Sequence, residues 1–339
     1  MKAPAFRFFH DQLPSDVQRI FYDAVETGVR ERKREIICPL IAGNSKSDYM
    51  HLLEHVYDDH PEFFSFYPLL SEITASGVLT IVRPFYRYSA KTQAEYETAL
   101  DRKITKILQE CFPKGYASVS EIRREKTLFD WITRNVVYDQ RSIDQIESRQ
   151  KEHICSVAWN AYGALVCGTA VCEGIACAFK LLCDRVDLPS IVVIGKAGGE
   201  RHAWNMVRVN RKFYHVDCTW DLASGISTEI PYARYRYFNL PDQIISANHV
   251  PESSFLPVCG SLQYNPFRIR KLCAFTPDEV NRIALQMHHD GQKRFAVMTI
   301  GFRAADCAET AAGYLARCAQ RDVRYYMDDS GYFLGFVIQ

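Results

Sequence analysis

Cys172, His202 and Asp217 are the residues whose types and surroundings could do chemistry together. Cys172 follows Gly168-Thr169-Ala170-Val171 and opens a stretch that predicts a helix over about 172–186, stopped by Leu188-Pro189. A helix start exposes N–H groups with no partner inside the helix, together with the positive end of the dipole. Both favour negative charge on a cysteine placed there, and the thiolate is the nucleophilic form. Gly174 and Ala176 beside it are small. A glycine costs stability inside a helix, so its place in the first turn is explained if something approaches the backbone closely. The other reading of Cys172 is one more small buried cysteine, and the local sequence leaves both open.

His202 and Asp217 lie on two successive strand-like runs, HAWNMVRV (202–209) and KFYHVDCTW (212–220), separated by the short turn candidate Asn210-Arg211. With the turn centred there, His202 opposes Thr219 and Trp204 opposes Asp217. All four then share one face, with His202 and Asp217 as diagonal neighbours about 7–8 Å apart at Cβ. A slip of one residue would send them to opposite faces. In the unslipped register Asp217 can hold one ring nitrogen of His202 while the other faces a nucleophile. The alternative is a His and an Asp on a partly exposed strand pair with no shared role.

The blocks Gly168-Thr169-Ala170-Val171-Cys172-Glu173-Gly174, His202-Ala203-Trp204-Asn205 and His215-Val216-Asp217-Cys218-Thr219-Trp220-Asp221 occur in this order. Together they resemble the bacterial branch of the transglutaminase-like superfamily, a papain-related group of proteases, protein cross-linking enzymes and peptide N-glycanases. Asn135-Val136-Val137-Tyr138-Asp139, Ala161-Tyr162-Gly163-Ala164-Leu165-Val166 and Tyr237-Phe238-Asn239, followed by His249, look like the same branch. The resemblance covers about 125–250 well, the N-terminal part weakly and the tail hardly at all. It implies Cys172 as nucleophile, His202 as base and Asp217 as orienting carboxylate. One position departs from the pattern: Ile175 stands where the family often has an aromatic residue. Such chemistry needs donors for the oxyanion. The Cys172 N–H is one; Tyr138 or Tyr162 could supply a second, and each also reads as a core tyrosine. Gly174 and Trp204 complete the expected cleft.

Elements that would position these groups are legible along the chain. Helices are expected at 15–34, 47–58, 90–112 and 118–135, a hairpin within 69–88 around Gly77, and a strand at 191–195. The tail reads strand, helix, strand, helix and a closing hairpin around Asp329-Ser330-Gly331, which suggests a small α+β sandwich. The expected fold is therefore α+β. A helical N-terminal region with a β-hairpin (1–120) precedes a papain-like core, whose catalytic helix packs on an antiparallel sheet (121–262), and a small α+β domain (263–339) ends the chain.

Other groupings of titratable residues and glycines occur along the chain. His51 and His55 stand four apart on a predicted helix with Asp58, Asp59 and His60 behind them, but no Glu follows His51 to make a metalloprotease motif, and they read as a polar helix face. Gly195, Gly198 and Gly199 match no phosphate loop and suggest a flexible loop before His202. His288-His289 sits at a helix end, and Asp184 and Asp187 read as loop and cap residues.

The chain has 339 residues, 47% apolar and 24% charged, with a net charge of +1. That balance gives no electrostatic footprint for nucleic acid or an anionic membrane, and the RERKR run at 30–34 reads as a solvated helix end. The 12 cysteines have irregular spacings with no CxxC pair, which speaks for a reducing compartment and against structural zinc. With no signal-peptide core and no membrane-length apolar run, the expected location is cytoplasmic. The expected function is hydrolysis of an amide bond in a peptide or protein through a thioester on Cys172, with no cofactor and no metal. Two alternatives stay in play: transfer of the acyl group to an amine, and a binding or scaffold module that retains the triad in a closed cleft. Nothing in the sequence gives the oligomeric state.

Overall fold

A computed structural model describes residues 6–147, 156–222, 229–230, 233–328 and 330–339. The chain divides into two units, Met1–Val192 and Val193–Gln339, a boundary that falls inside the segment 121–262. The expected α+β class holds, with helices and strands in both units.

In the first unit, helix α1 (Asp16–Arg30) begins at Ser15, whose hydroxyl accepts from the Gln18 N–H. Strand β1 (Ile36–Pro39) follows. Helix α2 (Lys46–Asp59) starts on a capping box between Ser45 and Asp48. The expected hairpin is β2 (Glu72–Ser76) and β3 (Leu79–Arg83), turning at Gly77, whose φ of 62° suits glycine. The sequence did not announce β1, yet it pairs antiparallel with β3 to make a three-stranded sheet of order β1-β3-β2. Val82 of β3, Phe21 of α1 and Leu53 of α2 meet in one apolar core. Helices α3 (Ala90–Cys111) and α4 (Glu121–Asn135) come next, then a parallel pair of two-residue strands, β4 (Val137–Tyr138) and β5 (Thr169–Ala170).

Helix α5 (Cys172–Arg185) opens directly after β5 and is buried on nearly every side. Even Lys180 is buried. Its ammonium donates to both oxygens of Asp184 at 3.2–3.3 Å and to the Ser190 carbonyl at 3.1 Å, so Asp184 is the partner of a buried cation and not an ordinary cap. Strand β6 (Ser190–Ala197) carries the chain into the second unit.

That unit holds a five-stranded sheet of order β10-β6-β7-β8-β9, with β7 (Glu200–Val209), β8 (Lys212–Val216), β9 (Phe238–Leu240) and β10 (His249–Pro251). Gly198 and Gly199 make a tight two-residue turn between β6 and β7 with φ of 59° and 90°, where a flexible loop was expected. Asn210 and Arg211, at φ of 47° and 67°, turn β7 into β8, so both central residues adopt the conformation that matches strand twist. The register is the expected one: Asn205 faces Val216, Met206 faces His215 and Val209 faces Lys212.

The tail follows the expected order. Strand β11 (Cys273–Ala274), helix α6 (Pro277–His289) and β12 (Arg294–Thr299) form a parallel crossover; helix α7 (Ala308–Ala319) and the hairpin β13 (Val323–Met327) and β14 (Phe333–Ile338) complete a sheet of order β11-β12-β14-β13. Of its expected turn, Asp329 lies outside the described residues. No helix among the described residues is long and apolar enough to cross a membrane.

Candidate active site

Cys172 is the first residue of α5 and is buried. The first helical bond in this turn runs from the Ile175 N–H to the Val171 carbonyl, so the N–H groups of Cys172, Glu173 and Gly174 are the ones left without a partner inside the helix. The segment 158–160 fixes the entry: the Val171 N–H donates to the Ala158 carbonyl at 3.0 Å. A Cβ on Gly174 would lie 2.3 Å from the Ala158 carbonyl oxygen and 3.0 Å from that of Asn160. The close approach that Gly174 allows is therefore made by the chain's own backbone.

In the second unit, His202 and Asp217 form a pair of their own. Type I′ geometry at Asn210-Arg211 sets the register, and the register puts His202 and Asp217 on one face. His202 Nε2 lies 2.8 Å from Asp217 Oδ2. A carboxylate accepts, so Nε2 carries the proton and Nδ1 bears the lone pair. Asp217 follows the end of β8 and is fully buried. Its other oxygen, Oδ1, accepts from the N–H groups of Thr219 (2.8 Å) and Trp220 (3.2 Å). A second imidazole, His249 of β10, reaches Oδ2 at 3.1 Å. Burial alone would raise the Asp217 carboxyl; the charge and hydrogen bonds of His202, then those of His249, reverse this and hold it well below the ordinary carboxylate range.

Aromatic rings enclose this pair. Trp204 stacks on His202 at 6.2 Å and 15°, and Trp220 lies 5.9 Å from it. Trp204 is itself anchored: its indole N–H donates to His215 Nδ1 at 3.0 Å, and His215 Nε2 donates to Asp242 Oδ1 at 2.9 Å. Beyond Trp220, Asp221 is fully buried, accepts from the Tyr237 N–H at 2.7 Å and lies 3.6 Å from Arg236 Nε. Burial pushes its carboxyl up to about 8, although Arg236 and the Tyr237 N–H pull the other way.

Residues 115–218 match the model of the Transglutaminase-like superfamily. Over this stretch the chain is similar to that superfamily. The stretch contains Cys172, His202 and Asp217, while Tyr237 and His249 lie beyond it. Among solved structures, one described as a TGase is 15% identical over 56% of this chain and 52% of its own, with a TM-score of 0.33. Another, described as a candidate cysteine protease from Cytophaga hutchinsonii, is 14% identical over 44% of this chain and 61% of its own, with a TM-score of 0.27. The chain thus spans about half the length of the first. No curated protein matches it.

Within and around the matched stretch, the remaining expected residues have distinct settings. Tyr138 sits on β4 beside Ala170, two residues before Cys172. Tyr162 is half-buried and stacks on Tyr96 at 4.3 Å. His55 leaves the polar face expected of it and stacks on Phe9 at 4.6 Å, while His51 pairs with Glu54 at 3.0 Å. A groove of about 670 Å³ along α1 and β1, lined by Ile20, Ala24, Ile36 and Ile37, holds none of the residues expected to do chemistry.

Sequence reasoning missed the contacts that His249, Trp220, His215 and Asp242 make around His202, Asp217 and Trp204. Two sets, His202–Asp217–His249 and His215–Asp242–Cys259, have the residue types of a metal site. In the second, the Trp204 indole N–H donates to His215 Nδ1, so the neutral ring carries its proton on the nitrogen that faces Asp242. Among the described residues no cysteine is in a disulfide. Burial pushes the thiols of Cys38 and Cys273 up to about 12, and those of Cys177 and Cys183 well above their ordinary value, which makes them poor nucleophiles.

Proposed function

We propose that this protein is a cysteine-nucleophile enzyme that hydrolyses an amide bond in a peptide or protein. Cys172 attacks the carbonyl, His202 takes the thiol proton at Nδ1, and Asp217 holds the imidazole through Nε2 and stabilises it as a cation. The amine leaves with a proton from His202, and water, activated by the same imidazole, resolves the thioester. The observation that carries this reading is the buried 2.8 Å bond between His202 and Asp217, which fixes which ring nitrogen is basic. The Cys172 N–H at the start of α5 is the natural oxyanion donor. Tyr138, whose strand pairs with Ala170 two residues before Cys172, and Tyr162 remain the candidates for a second donor. Lysine or another primary amine as acceptor would make the same residues a transglutaminase.

The test is alkylation of the folded protein with limiting iodoacetamide near pH 6, read by peptide mass spectrometry across all 12 cysteines. Selective labelling of Cys172 that falls in His202→Ala is the expected result. Labelling of Cys172 no faster than of the exposed Cys167 and Cys318 would defeat the reading and leave a binding module. A peptide pool offered with a primary amine then separates the two acceptors, since hydrolysis yields free acid and transfer yields an amine adduct.

A further inference from the structure

The proposed mechanism uses one imidazole on Asp217, and the structure supplies two. His249 Nε2 lies 3.1 Å from the same Oδ2 that receives His202. His249 is fully buried, with Trp220, Trp204 and Tyr237 rings at 4.8, 5.1 and 5.5 Å and the His202 ring at 5.6 Å. Its second nitrogen is also placed: Nδ1 is 2.6 Å from Asn248 Oδ1, and Asn248 Nδ2 donates to the Tyr237 hydroxyl at 2.9 Å. An aromatic box of this kind can be filled by Phe or Leu with no polar atoms to satisfy. Each nitrogen of the buried ring faces an oxygen that only accepts, Asp217 Oδ2 on one side and Asn248 Oδ1 on the other, so both bonds form together when the ring carries two protons. Gly195 of β6 makes room for the strand that brings His249 in. A Cβ there would lie 2.3 Å from the Val250 carbonyl oxygen and 2.9 Å from the Trp204 ring. Counting Thr219 and Trp220, Asp217 receives two donors on each oxygen, so its plane is fixed from both sides.

We propose that His249 is a positioning residue of the His202–Asp217 pair, which clamps Oδ2 in the orientation that receives His202 and takes up part of the carboxylate's charge. His202 is then a weaker base than a carboxylate with a single imidazole donor would make it. A weaker base gives its proton more readily to a leaving amine. The charged and titratable groups around His202 in this unit are Asp217 and His249 directly, with Asp221, Arg236 and Tyr237 behind them. The catalytic meaning of this arrangement rests on the proposed triad; the arrangement of donors on Asp217 does not.

The test follows the His202 ring by NMR in full-length protein with 15N-labelled histidine, the His202 signals being assigned by their loss in His202→Gln. In His249→Leu, which removes the donor, the titration midpoint of His202 should rise by about one pH unit. His249→Gln keeps an N–H near the position of Nε2 and should return at least half of that shift. Asn248→Ala loosens His249 from outside without touching Asp217, and should move the midpoint the same way by less; it serves if His249→Leu does not fold. An unchanged His202 midpoint in the variants that fold, with lowered urea midpoints, would make His249 merely structural and overturn the inference. The pH profile of Cys172 alkylation, taken on the same variants, keeps the two readings apart. A His202 shift that the Cys172 profile does not follow supports the role of His249 and defeats the triad.

Discussion

Two histidine–aspartate pairs sit on neighbouring strands of one sheet and look alike in distance: His202–Asp217 at 2.8 Å and His215–Asp242 at 2.9 Å. They differ in everything around that bond. The Asp217 side chain is fully buried and receives four hydrogen bonds from side chains and backbone. Asp242 is half-exposed at its side chain and takes one further bond, from the Cys259 N–H. His215 spends its other nitrogen on the Trp204 indole, which can only donate, so its tautomer is locked and no lone pair remains for proton transfer. His202 carries its lone pair on Nδ1. The second pair holds a tryptophan against the first. A His–Asp contact is therefore weak evidence for catalysis until the second ring nitrogen has been accounted for.

The comparison is broken or sharpened first by removing each histidine. His202→Ala should lower any amide-bond turnover by about 100- to 10,000-fold and abolish selective alkylation of Cys172 near pH 6. His215→Ala should leave the alkylation profile near wild type but destabilise the protein by about 1–3 kcal/mol, because it strands the buried Trp204 N–H; a urea titration reads this. Equal loss of alkylation in both variants would erase the distinction.

Acid stability separates the two aspartates. Asp217 is held well below the ordinary carboxylate range in the folded state, so its charge contributes stability that is fully present above about pH 4. That contribution is lost as pH falls through the lower folded value. Melting temperature should fall more steeply below pH 4 in the wild type than in Asp217→Asn. Asp242 is lowered too: burial opposes the shift, and the bonds from His215 and the Cys259 N–H outweigh it. Asp242→Asn should show the same sign with a smaller slope, since solvent screens its half-exposed side chain.

A third carboxylate close by has the opposite sign. Asp221 is raised by burial to about 8, so between about pH 4 and 8 the folded state keeps a proton that the unfolded chain gives up. Stability from this group falls as pH rises across that window. Urea midpoints at pH 5, 6.5 and 8 should decline in the wild type relative to Asp221→Asn. Parallel lines would mean that Asp221 is ionised throughout.

Gly195→Ala probes the strand that carries His249. The added methyl meets the Val250 carbonyl and the Trp204 ring and should cost about 1–3 kcal/mol. Any loss of activity should come through displacement of β10 and His249, and a variant of full stability and activity would mean that β10 yields at no cost.

How much of this was legible in the chain differs from residue to residue. Asn210-Arg211 set the hairpin register, because a two-residue turn leaves few alternatives, and from it the shared face of His202, Trp204 and Asp217 followed. The tail's alternation of strand and helix periods was equally local. His249 was not legible as a site residue: it lies 32 residues from Asp217 on a three-residue strand, and nothing near it in sequence marks its partner. Gly174 signals room for an approaching group, and that group is the backbone at Ala158 and Asn160.

By itself, then, the sequence determined what local rules control: the helix that Cys172 opens, the hairpin that aligns His202 with Asp217, and the kinds of atom available for chemistry. Tertiary structure decided how those atoms are shared. Whether a histidine donates to an aspartate or accepts from a tryptophan, and whether a carboxylate is held charged or pushed toward neutrality, depends on groups that folding brings together from distant parts of the chain. Burial then makes each of those choices costly to leave unmade.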